Sequence, residues 1–287
     1  LLTSVLGNTN KISEYSYACK KLGIKILPPD INYGEGAFSV DHGNIRYGLT
    51  AIKSLGRPVI EAIIRERNLN GPYRDFKDLV ERLSSKEINK RTVENLIKSG
   101  ALDCFHVTRK QQMIVYASVI DSIQKERKNE IAGHMSLMDL LGEEDQQSFQ
   151  ISYPDVGEYE KEQKLAMEKE VLGIYVSGHP LEDDIERLER SVTAHTSDFV
   201  IDEETGKTKI HDRESCIIGG LISEMSVKLT KKNQNMAFIT LEDLRGTVEV
   251  VVFPRQYATY QSLLREDAKV FIKGTTQISE EESKVIC

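Results

Sequence analysis

The 287-residue sequence has no C-x-x-C pair. Cys19, Cys104, Cys216 and Cys287 lie far apart, which excludes zinc-ligand spacing and a dithiol redox motif and fits reduced thiols in a cytosolic protein. No apolar run approaches the roughly 18 residues that cross a bilayer, and no signal-peptide pattern opens the chain, so no membrane partner is expected and the location reads as cytoplasmic. A formal net charge of −7 argues against a protein that coats nucleic acid over its whole surface. A catalytic constellation is missing too. Asp183-Asp184 and Glu143-Glu144-Asp145 lack apolar framing and a neighbouring nucleotide-binding loop, and read as solvated surface. His42 and His179 have no metal-ligand partners. No catalytic residue, metal ligand or resident cofactor is therefore expected.

What is present supports two or three modules, since the chain exceeds one ordinary domain and its 39% hydrophobic content supplies real cores. Charge is unevenly spread. Residues 45–67 hold five basic side chains (Arg46, Lys53, Arg57, Arg65, Arg67) against Glu61 and Glu66, whereas residues 130–170 hold eleven acids against three lysines. The positive stretch contains the most informative pattern, L-T-A-I-K-S-L-G-R-P-V-I-E-A-I-I from Leu49 to Ile64. Leu49 and Ile52 mark one helical pattern, Ile60, Ile63 and Ile64 another, and Ser54 to Pro58 separate them. Against the template h-x-x-h-x-G-h-G-x-x-x-A-x-x-h-h of a helix-hairpin-helix, only Ser54 (usually glycine) and Ile60 (usually alanine) depart. Gly56 permits positive φ and close approach, Pro58 opens the second helix, and the freed amides there favour an anion, with Lys53 and Arg57 on either side. The competing reading of the same pattern is an apolar helical hairpin that is plain core.

Around it, Lys11 to Leu22 reads as a helix stopped by Gly23. Phe38 to Val40 and Ile45 to Tyr47 bracket a small hairpin. Asp75 is placed to cap a helix whose Phe76, Leu79, Val80 and Leu83 share a face, and Ser84 with Glu87 has capping-box spacing for the next. That helix stops at Ser99-Gly100, and Thr108 with Gln111 caps another. This makes a second helix, glycine turn and helix, with Lys90, Arg91, Lys98, Arg109 and Lys110 near its ends. Beyond Asn129 the pattern loosens around an apolar island, H-M-S-L-M-D-L-L from His134. Helical periodicity returns from Tyr159 to Leu172.

After Ser191 the periodicity becomes that of strands: Ile217 to Ile222, Met236 to Leu241, Thr247 to Phe253, a helix from Pro254 to Leu264, then Val270 to Thr275. This is the order of an OB-fold barrel, with Lys284 to Cys287 as the start of a truncated fifth strand. OB barrels hold single strands across strands two and three and the loop joining strands one and two. That loop carries Lys228, Lys231, Lys232 and Asn233, and alternation puts Phe238 on the outer face, free to stack a base. The alternatives are a solvated hairpin tip and a phenylalanine that fills the barrel. Ser279 to Glu282, the other expected loop, is acidic. The fold class expected is α+β multidomain: a mainly helical tandem helix-hairpin-helix domain followed by a five-strand OB-fold β-barrel.

L-L-T-S-V-L-G-N-T-N-K at the start, L-G-I-K-I-L-P-P-D-I-N, I-R-Y-G-L-T-A-I-K-S-L-G, N-K-R-T-V-E-N-L-I-K-S-G-A-L-D, L-G-I-Y-V-S-G-H-P-L and M-A-F-I-T-L-E-D-L-R-G-T-V-E-V-V-V-F-P together resemble the alpha subunits of bacterial DNA polymerase III over essentially the whole chain. The resemblance implies a fragment of the C-terminal half. Residues 1–40 close the fingers region, 41–128 form the duplex-binding hairpin domain, 129–190 a linker, and 191–287 an incomplete OB domain. It makes duplex DNA the expected partner of the two hairpin turns, whose Lys53, Ser54, Leu55, Gly56, Arg57, Lys90, Arg91, Arg109 and Lys110 are the expected contacts. It implies a sliding-clamp peptide at His134, Met135, Ser136, Leu137 and Met138, with His134 and Met138 departing from the usual glutamine and phenylalanine. Tyr33 stands where serine is common. The family's Mg2+-binding palm aspartates lie upstream, so the fragment itself is expected to be silent in nucleotidyl transfer; other replicase subunits are implied partners. Two other classes share parts of the pattern. A NAD-dependent DNA ligase has both modules in reverse order with a four-cysteine zinc site, and a tRNA-binding OB module explains Ser215 to Pro254 but not the hairpins.

Overall fold

The computed structural model describes residues 2–5, 8–83, 87–131, 151–201, 207–279 and 282–287. These fall into two compact units, one drawn from residues 1–9 and 19–177 and the other from 10–18 and 178–287. The segment His134 to Met138 lies outside the described residues.

Helix α1 (Thr9–Lys21) ends at Gly23, whose φ of 75° is the left-handed stop its position predicted. Strands β1 (Ile26–Leu27), β2 (Ser39–Asp41) and β3 (Asn44–Arg46) form a small sheet ordered β1-β3-β2. His42 and Gly43, both at positive φ, make the tight turn that the twist of a two-residue hairpin demands.

Five helices lie wholly within the first unit: α2 (Arg57–Asn70), α3 (Phe76–Arg82), α4 (Lys90–Lys98), α5 (Arg109–Ile131) and α6 (Lys161–Leu172). Their apolar stripes supply Ile60, Ile63, Phe76, Leu79, Val93 and Leu96, all buried. Asp75 caps α3 by accepting from the Asp78 amide at 2.8 Å. Thr108 and Gln111 form the reciprocal box at the start of α5: the Thr108 hydroxyl accepts from the Gln111 amide, and the Gln111 side chain accepts from the Thr108 amide, each at 3.2 Å. Two expectations change. The pattern at Leu49 and Ile52 makes only a 3-10 turn, Leu49–Ala51, because Lys53 donates its amide to the Val171 carbonyl at 2.8 Å instead of extending a helix. Helix α4 begins at Lys90, where the Asn89 side chain accepts from the Thr92 amide at 3.0 Å; Glu87 precedes it, and Ser84 is outside the described residues.

Residues 151–177, expected in a linker, pack with the first unit. Pro154 accepts from the Gln111 side chain at 2.9 Å, and Glu168 of α6 is fully buried against Arg109.

In the second unit, helix α7 (Ile185–Ser191) precedes β4 (Ser215–Leu229), β5 (Asn235–Glu242), β6 (Thr247–Val252), helix α8 (Pro254–Tyr260), β7 (Lys269–Ile278) and β8 (Ser283–Ile286). The strands close a barrel in the order β4-β5-β6-β8-β7, with β8 parallel to β6 and antiparallel to β7. The fifth strand, short as it is, therefore reaches far enough to close the ring. β4 runs 15 residues, well beyond the expected Ile217 to Ile222, and a register shift between Ile222 and Glu224 lets one strand pair with both β7 and β5. The core holds Ile218, Ile222, Ala237, Ile239, Leu241 and Val250.

Candidate nucleic-acid interface

The turn before α2 is open on one side and anchored on the other. Lys53, Ser54, Gly56 and Arg57 are exposed while Leu55 is buried, so the turn presents backbone and charge outward around an apolar pin. The positive φ falls at Ser54 (63°), where the template has glycine. Gly56 instead has φ −70° and ψ 146°, a conformation open to any residue. What glycine supplies there is space: a Cβ would meet only Pro58 Cδ, at 3.6 Å, and would otherwise project over the helix start. Among the described residues the Gly56 and Arg57 amides have no internal acceptor, because the first bonds of α2 run from Val59 and Ile60 back to the Gly56 carbonyl. Ile60, in place of alanine, is 2% exposed and packs over Gly36.

The start of α4 lies beside this turn. The Arg91 guanidinium donates to the Ser54 hydroxyl at 3.2 Å, and the Asn95 amide donates to the Lys53 carbonyl at 2.8 Å. Lys53, Ser54, Gly56, Arg57, Lys90 and Arg91 thus form one exposed cluster. Lys90 pairs with Asp121 at 2.8 Å, but both side chains are at least half exposed, so the pair is weak and displaceable. Asn95 was not legible as part of the cluster; its one signal is that a polar residue recurs on the buried stripe of α4.

Arg109 and Lys110 do not join. Arg109 is 1% exposed, held by Asp103 at 2.8 Å, Glu168 at 3.1 Å and the Lys98 carbonyl at 3.2 Å. Gly100, at φ 81°, leaves the room this needs, since a Cβ there would sit 2.3 Å from the guanidinium. Burial opposes the charge on Arg109, but Asp103 and Glu168 outweigh it and hold the guanidinium firmly protonated. The amides of Arg109 and Lys110, which an external anion would seek, already donate to the Glu158 carboxylate at 3.1 and 3.2 Å. Burial acts to raise the Glu158 pKa, and the amides of Tyr159, Arg109 and Lys110 override it to hold the carboxyl below the usual range. The second glycine turn is internally closed by an anion of the chain itself, and Arg109 is corrected from surface contact to buried framework.

On the barrel, Ala237, Ile239 and Leu241 face the core and Phe238 faces outward, half-buried. The Lys228 ammonium sits 4.7 Å from the Phe238 ring centroid. Lys231, Lys232 and Asn233 occupy the exposed tip, which is closed by a bond from the Asn233 amide to the Thr230 carbonyl at 2.9 Å, with Asn233 at positive φ. Glu280 and Glu281 of the acidic loop lie outside the described residues. Among the described residues no group of three or more His, Cys, Asp or Glu is placed to hold a metal ion, and no helix is long and apolar enough to cross a membrane.

Both units match known families: residues 23–112 fit the helix-hairpin-helix motif, and residues 217–286 fit an OB-fold nucleic acid binding domain. Hairpin helices joined to an OB barrel define the class. Within it, the chain is related along essentially its whole length to one segment of DNA polymerase III subunit alpha. It is 36% identical over 288 residues to that protein of Bacillus subtilis and 32% identical over 286 residues to that of Mycobacterium leprae, in each case covering 100% of this chain and 24% of the relative. With the Escherichia coli protein it shares 34% identity over 275 residues, 96% of this chain and 23% of the relative. The chain spans about a quarter of the length of these relatives.

Proposed function

We propose that this chain is a DNA-holding portion of a bacterial replicative DNA polymerase, cytoplasmic and working with the other subunits of a replicase. The helical unit grips duplex through phosphates at the Ser54 to Arg57 turn and the start of α4. The observation that carries this reading is the Arg91 to Ser54 hydrogen bond, which joins the start of α4 to the exposed Gly56 and Arg57 amides in one positive surface. Backbone amides and lysine heads meet phosphates without reading bases. Affinity for a short duplex is therefore expected to be independent of sequence, its logarithm falling linearly with the logarithm of salt; a salt-independent affinity contradicts the reading. Nucleotidyl transfer, with its Mg2+, belongs to palm aspartates outside this chain.

The barrel holds single-stranded template along Phe238 and the Lys228 to Asn233 arm. An exposed cation–π pair is worth about 0.5–1 kcal/mol, less than the roughly 1–3 kcal/mol of a stacked base, so a base displaces Lys228 from the ring. Phe238→Ala is expected to lower single-strand affinity by about fivefold or more with little change in the unfolding midpoint. Lys231→Ala is expected chiefly to flatten the salt dependence. Unchanged single-strand affinity in Phe238→Ala removes the ring from the site.

His134 to Met138 is the clamp-binding segment in this reading, with Leu137 and Met138 entering an apolar groove and His134 in place of glutamine. Each buried apolar side chain is worth roughly 1.5–3 kcal/mol, so Leu137→Ala with Met138→Ala is expected to abolish capture by the sliding clamp, and His134→Gln to strengthen it. Retained capture by the double variant places the contact elsewhere.

A further inference from the structure

The hairpin turn carries serine at its one left-handed position, and something must hold it there. Ser54 has φ 63°, a conformation that glycine adopts freely and a residue with a Cβ resists. The residue immediately before it, Lys53, is held through both of its peptide groups. The Lys53 amide donates to the Val171 carbonyl at 2.8 Å, and the Lys53 carbonyl accepts from the Asn95 side chain at 2.8 Å. Asn95 is 9% exposed and lies on α4 one turn beyond Arg91, which reaches the Ser54 hydroxyl at 3.2 Å. α4 therefore holds the turn at two successive residues.

We infer that Asn95 is a positioning residue for phosphate binding: it holds the Lys53 carbonyl so that Ser54 stays left-handed and the Gly56 and Arg57 amides stay aimed outward. Asn95 touches no DNA itself. The inference rests on the duplex-binding reading of the turn. It also explains how the chain keeps a working turn without the usual glycine, because the bond from α4 offsets the resistance of the serine Cβ.

A double-mutant cycle in the full 287-residue chain tests it, with anisotropy on a fluorescent 20-base-pair duplex as the readout. Asn95→Ala is expected to weaken binding about three- to tenfold, the scale of one hydrogen bond. In a Ser54→Gly background, where the left-handed turn is unopposed, the same substitution is expected to cost less than about twofold. General destabilisation acts equally in both backgrounds and cancels. Equal losses in the two backgrounds, or no loss in either, overturn the proposal. Should Asn95→Ala fail to fold, Asn95→Leu keeps the buried volume without the donor and is read the same way. Failure of the duplex-binding reading is distinguishable, since a Gly56→Val, Arg57→Glu variant would then bind as well as the parent.

Discussion

Arg109→Ala is expected to destabilise the helical unit by about 3–5 kcal/mol, the loss typical of breaking a buried ion pair from one side. The side chain is 1% exposed and its partner Glu168 is 0% exposed, so alanine leaves a carboxylate without its cation and without water. Glu168 would keep its other contacts, the amides of Val176 at 3.0 Å and Ser177 at 2.9 Å, so the backbone there still needs its oxygen while the charge is uncompensated. Arg109→Lys is expected to recover only part of the loss, because one ammonium cannot span Asp103, Glu168 and the Lys98 carbonyl as the guanidinium fork does. Lys110→Ala, by contrast, is expected to fall within about 0.5 kcal/mol of the parent. Urea unfolding followed by helical ellipticity measures all three. Near-parent stability of Arg109→Ala with a selective loss of duplex affinity would return Arg109 to the DNA surface.

That residue marks where the sequence could be read and where it could not. Arg109, at the first position of a helix after a glycine turn, has the local pattern of a phosphate contact. Its fate is decided by Glu168, a partner 59 positions away that no periodicity connects to it. Glu158 is the same case: an acid in a polar stretch that closes the amides of α5. Local chemistry was legible. The Asp75 cap, the Thr108 and Gln111 box, the Gly23 stop and the outward turn of Phe238 all follow from contacts within a few residues or from strand alternation. The barrel order was legible because the strands are short apolar segments separated by turn residues, with β5 alternating over most of its length, but the length of β4 was not. Its outer half leaves Val227 and Leu229 exposed on a projecting arm, where hydrophobicity no longer reports a core. At the hairpin, the glycine signal was sound in outline and shifted in detail: Ser54 takes the left-handed turn, and Gly56 is needed for open space.

Gly56→Val with Arg57→Glu is expected to abolish duplex binding while leaving the fold intact. Valine is accepted at φ −70° and ψ 146°, and its Cβ meets only Pro58. The branched side chain then covers the amides, and glutamate places a negative charge where phosphate must sit, at a helix start that otherwise favours anions. Loss of two charge-assisted contacts, at about 1.5–3 kcal/mol each, removes about half or more of the roughly 5–8 kcal/mol that nonspecific duplex binding supplies at physiological salt, which carries the affinity to millimolar or weaker. The deciding measurement is duplex affinity of the parent and this variant across a salt series, with ellipticity at 222 nm recorded on the same samples. A sloped, sequence-independent affinity in the parent that vanishes in an equally helical variant is the predicted result, and equal affinity and slope in the two proteins would contradict it.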